Sequence, residues 1–157
     1  MPTLKAHGLA VTPPSGWDAE IYTRDRDPRI MTPQGMQEVV PPIAHVANFG
    51  LPPNRGDFGG GAVELMESGA VFVALIQYDQ ADVDTALFRG KGIPWPLSPD
   101  EFDPNNLQRA FAGQSGVQRF FVAGGRPFCL YVVLGSHRLR ATLVREVNAV
   151  LESITFD

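Results

Sequence analysis

The chain has 157 residues, 44% of them hydrophobic, a net charge of −4 and a single cysteine. That length suits one domain over residues 1–157, with a core large enough to need neither metal nor disulfide. The acidic balance argues against a nucleic-acid partner, and the absence of an apolar signal core in Met1–Ala10 or of any membrane-length apolar run leads to the expectation of a cytoplasmic protein.

Charge is unevenly spread. Asp79, Asp82, Asp84, Asp100, Glu101 and Asp103 crowd the middle of the chain, whereas five arginines lie between positions 117 and 157. Among 13 basic residues only Lys5 and Lys91 are lysines, a bias we read as genomic base composition.

In chain order, Gly8–Thr12 reads as a first strand, and Pro13-Pro14-Ser15-Gly16 as a turn that delivers Trp17 into a second strand through Ile21 and Tyr22, with Asp18 and Glu20 pointing outward. Arg24–Val40 is rich in charge, proline and glycine, the composition of a surface connection. Pro42–Phe49 alternates as a third strand. The stretch Asn54-Arg55-Gly56-Asp57-Phe58-Gly59-Gly60-Gly61 follows. It has neither the Gly-Lys-Ser/Thr of a phosphate loop nor the spacing of a dinucleotide fingerprint. A flexible connection into a helical turn at Ala62–Met66 is therefore favoured over a binding loop in which Arg55 and Asp57 would take part.

Ala70–Tyr78 is apolar at odd and even positions alike, which marks a central strand covered on both faces. The acids that follow it lack the central glycine and closing glutamate of a calcium loop. Arg89–Gly116 is long and broken by Pro94, Pro96, Pro99 and Pro104. Two helix starts are legible in it: a capping box at Ser98-Pro99-Asp100-Glu101, and a cap followed by proline at Asp103-Pro104. Trp95, Asp100 and Glu101 are candidate contact residues of this loop, although a core role is the favoured reading for Trp95.

Val117–Ala123 and Phe128–Leu134 flank Gly124-Gly125 and read as a hairpin, its second strand central. Cys129 within that strand is expected to be a small core residue. The period then lengthens to about 3.6, predicting a helix that begins near Ser136 and turns Leu139, Leu143, Val147, Val150 and Ile154 inward, with Arg138, Thr142, Arg145, Asn148 and Glu152 facing away. A last short strand closes the chain.

His7, His45 and His137 are far apart and belong to no metal-ligand pair, no serine lies in a nucleophile elbow, and no motif implies a cofactor or a metal. One inconsistency remains. Positive charge at a helix start is disfavoured by the helix dipole, yet His137, Arg138 and Arg140 cluster there. An anion would reverse that penalty, so Ser136, His137, Arg138 and Arg140 form a candidate site for an anion or an acidic partner, set against the plainer reading of solvated arginines.

The turn Pro14-Ser15-Gly16-Trp17 after a first strand, together with the hairpin, helix and short strand ending on Leu151-Glu152-Ser153-Ile154-Thr155-Phe156, resembles the Mog1/PsbP-like fold family. The resemblance implies an α+β fold, an antiparallel β-sheet flanked by helices in an α/β/α sandwich, and a binding or assembly role rather than catalysis. It covers the two ends of the chain and carries no functional residue over. The expected function is a non-catalytic protein-binding or accessory module of a cytoplasmic complex, with a protein partner. The alternatives are a small-molecule binder or enzyme of the helix-grip, polyketide-cyclase-like type, and a structural subunit of a homo-oligomer.

Overall fold

Strands that are apolar at every position must be covered on both faces, and the arrangement of the chain supplies that cover. The computed structural model describes residues 2–23 and 41–157, and the predicted connection Arg24–Val40 lies outside the described residues. Among the described residues the fold is mixed α+β and mostly sheet. Its strands are β1 (Leu4–Ala6), β2 (Leu9–Val11), β3 (Asp18–Thr23), β4 (Pro42–Ala47), β5 (Val71–Gln77), β6 (Gly90–Lys91), β7 (Ser115–Ala123), β8 (Arg126–Leu134) and β9 (Thr155–Phe156), with one α-helix, α1 (Arg140–Glu152). The larger sheet runs β3-β4-β5-β8-β7-β6, antiparallel throughout except where β6 lies parallel to β7, and the smaller one runs β1-β2-β9.

The two runs expected to be central, β5 and β8, are neighbours in the middle of the larger sheet. Ala123 pairs with Arg126 across Gly124 and Gly125, whose φ values of 57° and 75° are those of a two-residue hairpin turn that suits glycine. The hydropathy pattern marks neither β1 nor β6; β1 is a three-residue edge, paired with β2 through a turn at His7 and Gly8.

On one face of the sheet Val73, Leu75, Leu130, Val132, Val117 and Phe121 meet Leu143, Val144, Val147, Val150 and Leu151 of α1, together with Leu97 and Phe102 from the long loop. Burying the five aliphatic side chains of α1 contributes on the order of 10 kcal/mol at most. The opposite face, with Ile43, Phe72, Ile76, Cys129 and Tyr131, is covered by Phe49, Leu51, Phe58, Leu107 and Phe111, which come from loop segments. The described residues thus place a helix on one face and loops on the other.

Several expectations about α1 are corrected. The helix starts at Arg140, not near Ser136, and its cap residue Leu139 makes no side-chain capping bond. The reason is local: the His137 N–H is drawn to the Gly113 carbonyl at 2.7 Å, and the Leu139 and Arg140 N–H groups close turns onto Ser136 and His137. Leu139, expected inward, is 37% exposed. Asn148, expected outward, is half-buried because it binds the main chain of Leu97 on both sides, N–H to Oδ1 at 2.8 Å and Nδ2 to carbonyl at 3.0 Å.

Candidate functional site

The long loop between β6 and β7 is pinned by the two motifs legible in its sequence. Ser98 opens a 3-10 turn at Pro99–Glu101 with both halves of a capping box, and Asp103 opens another at Pro104–Asn106 by accepting the Asn105 N–H at 2.8 Å. Between and after these turns the chain is fastened to the sheet. Asp103 and Gly116 exchange main-chain hydrogen bonds of 3.0 and 3.1 Å, Asn106 Nδ2 donates to the Gly116 carbonyl, and the Gln108 N–H donates to the Tyr131 hydroxyl at 2.8 Å. Leaving Asn148 and meeting Gly116, the loop skirts the edge of β7 without closing over all of it.

An open groove of about 510 Å³ results, lined by Glu101, Asn105, Asn106, Gln108, Gln118 and Arg119 among others. The Glu101 carboxylate does two things: Oε2 accepts the Ser98 N–H at 2.7 Å, and Oε1 forms an ion pair with Arg119. The remaining polar lining is carboxamide. An amide both donates and accepts, so this wall is suited to uncharged polar groups, and the paired charges opposite leave little net field. Two further open depressions of about 460 Å³ lie beside Asn48, Leu65 and Glu67 and beside Thr85, Arg89 and Lys91. The first groove runs along the stretch of β7 that β6 does not cover.

A second polar cluster lies on the loop-covered face of the sheet. His45 of β4 is fully buried between the Tyr22 and Phe72 rings, with centroids at 5.3 and 4.9 Å. Arg55 donates from Nε to His45 Nδ1 at 3.0 Å, and His45 Nε2 donates to the Asp57 carbonyl at 2.8 Å, so the imidazole is neutral with its proton on Nε2. Burial above all, then the Arg55 charge, lowers the His45 pKa to about 4, although the Asp57 carbonyl opposes the shift. The Arg55 side chain, 5% exposed, also pairs with Glu20 and donates to the Pro52 carbonyl. The Tyr22 hydroxyl donates to Asp57 Oδ1 at 3.3 Å, and burial, then that carboxylate, raises its pKa to about 12. The connection Asn54–Gly61 is fastened to the sheet through Arg55 and Asp57, Gly56 and Gly60 are joined by a main-chain bond of 2.8 Å, and the helical turn expected at Ala62–Met66 is a 3-10 turn at Val63–Leu65. Both ring nitrogens of His45 are engaged and neither faces solvent, an arrangement that holds a loop and leaves no atom for proton transfer to a substrate.

Comparison with known proteins finds no matching family model, no matching curated protein and no matching solved structure.

Of the residues singled out in the sequence, Glu101 lies in the groove and Asp100, its neighbour, is exposed outside it. Trp95, favoured as core, is 47% exposed and rests on α1, its indole N–H donating to the Asn148 carbonyl at 3.0 Å. Its bulk stays outside because the flanking chain enters the core at Leu97 instead. Arg55 and Asp57 belong to the His45 cluster. Ser136, His137, Arg138 and Arg140 sit at the start of α1, where the Arg140 guanidinium donates to the His137 carbonyl at 3.0 Å and Arg138 is exposed. The groove amides Asn105, Asn106, Gln108 and Gln118, with Arg119, were missed. Their signal was the polar pair Gln118-Arg119 interrupting the otherwise apolar run of β7.

Among the described residues no helix is long and apolar enough to cross a membrane, and no group of three or more His, Cys, Asp or Glu side chains could hold a metal ion.

Proposed function

We propose that the chain is a non-catalytic protein-binding or assembly module of a cytoplasmic complex, and that the groove beside β7 is its binding site. The observation that carries this reading is the groove itself: an open, amide-lined, charge-balanced trough along a strand edge, suited to recognising another polypeptide. The interior supports it from the other side. Among the described residues the apolar space between the sheets, lined by Leu9, Val11, Ile21, Val73 and Ile154 among others, measures about 10 Å³, no more than a single water needs, so this space lends no support to a helix-grip binder of small molecules. The resemblance to Mog1/PsbP-like proteins, with the flanked-sheet sandwich that it implies, points the same way as an analogy of fold.

A selection of displayed random dodecapeptides on the immobilised protein tests the proposal. Enriched peptides are expected to lose most of their affinity for a Q118A/R119E double variant, in which the Glu101 partner is reversed in charge, and to keep it for an R138A/R140A control. Enrichment of peptides indifferent to the groove change, or of none, overturns it.

A further inference from the structure

The groove has a floor whose chemistry narrows what can lie in it. Strand main-chain groups alternate between the two neighbours of a strand, so those of Gly116, Gln118, Phe120 and Val122 point the same way across β7. That way is outward. Gly116 uses both of its groups on Asp103, and the Val122 carbonyl accepts the Gly92 N–H at 2.7 Å. The parallel register Gly90↔Phe121 and Lys91↔Val122 engages the Phe120 carbonyl and the Val122 N–H with β6. Three groups of the row are left: the N–H and carbonyl of Gln118 and the N–H of Phe120. No main-chain partner among the described residues takes them.

We infer that the partner enters this groove as an extended, uncharged polar segment of three or four residues that completes the main-chain ladder of β7 between Gly116 and Phe120. The inference rests on the binding reading above and specifies the chemistry of its partner. Two features support it. Both ends of the row are already filled by extended main chain, Asp103 at one end and Gly90–Gly92 at the other, so the edge has the geometry of a ladder with its middle rungs open. Four residues of strand span about 14 Å, which limits the insert to a short piece. The walls fit the same occupant, because the Glu101–Arg119 pair and the amides offer neither an excess charge to attract nor an apolar pocket to fill. A chain of net charge −4 further disfavours an acidic segment.

The test uses the best dodecapeptide from the selection above, resynthesised with one backbone N-methyl group at a time, and amide hydrogen exchange of the protein. N-methylation at one position, that of the residue whose N–H meets the Gln118 carbonyl, is expected to weaken binding roughly three- to tenfold, while alanine at the same position has less effect. Exchange at Gln118 and Phe120 should slow in the complex. A Q118P variant removes one outward N–H without touching the β7–β8 ladder and should bind more weakly; the N-methyl series keeps the test valid if that variant fails to fold. A peptide that needs the groove yet tolerates N-methylation throughout and leaves both amides exchanging freely overturns this inference while sparing the binding module. An occupant held by side chains alone, such as a glycan, would give the same overturning pattern at the two amides. If no peptide depends on the groove, both readings fall.

Discussion

Arg55 donates its Nε hydrogen to Nδ1 of His45 across 3.0 Å, which uses the one acceptor of a fully buried imidazole whose other nitrogen donates to the Asp57 carbonyl. Protonating His45 would put hydrogen on Nδ1, break this bond and set two cations side by side. The folded pKa of about 4 lies below the ordinary 6.5, so the unfolded chain binds the proton more readily. The stabilisation is fully present above about pH 6.5 and is lost as pH falls through 4, by about 3 kcal/mol in all. Urea unfolding of the wild type and of His45→Gln between pH 4 and 8 measures it. The difference in stability between the two should shrink as pH falls from 6.5 to 4 and stay constant above 6.5; a difference independent of pH refutes the assignment.

Asn148 holds the long loop to α1. Its carboxamide binds the N–H and carbonyl of Leu97, a residue inside the core. Asn148→Ala leaves both main-chain groups without that partner, an expected loss of about 2 to 4 kcal/mol, measured as the shift in denaturation midpoint at unchanged slope. Trp95, bound to the carbonyl of the same residue, should report the loosening through a red-shifted emission.

Gly59 has a φ of 86°, and a Cβ added there would stand 2.6 Å from Cε2 of Phe72, a fully buried ring that touches His45. Gly59→Ala therefore strains the backbone and displaces a ring with no room to move. An expected cost of about 2 to 4 kcal/mol should appear as a lowered Tm, against a change near zero for Gly60→Ala, where a Cβ meets nothing within 4 Å.

Cys129 is fully buried, and burial pushes its thiol up to about 11. In native protein at pH 8 it should resist a disulfide reagent over hours and react at once in 6 M guanidinium. Rapid labelling of the folded protein would contradict its place in the core.

The parts of the fold that were legible are those governed by neighbours in the chain. The double-sided apolar runs of β5 and β8 announced central strands, two adjacent glycines announced the β7–β8 turn, and the Ser98 and Asp103 caps appeared where the local pattern placed them. The start of α1 escapes the local pattern because Ser136 is a good cap only in isolation; a hydrogen bond from His137 to Gly113, distant in sequence, holds the chain out of helical geometry until Arg140. The exposure of Trp95 escapes it for a similar reason, since burial of Leu97 two residues later decides which side chain enters the core.

The candidate site was barely legible. Glu101 drew attention as a capping residue, and its ion pair joins it to Arg119, eighteen positions later; Arg55 and Asp57 drew attention as loop residues and prove to grip His45. Hydropathy periods, turn residues and caps are local quantities, so the order of residues by itself determined the strands other than the short edges β1 and β6, the hairpin and the presence of the final helix. Which strand edge stays open, and which polar groups meet across it, depends on contacts between segments with no fixed spacing in sequence. The tertiary structure alone decided those, because the Gln118 N–H is left without a main-chain partner among the described residues only once Asp103 and Gly90 have taken the groups on either side of it.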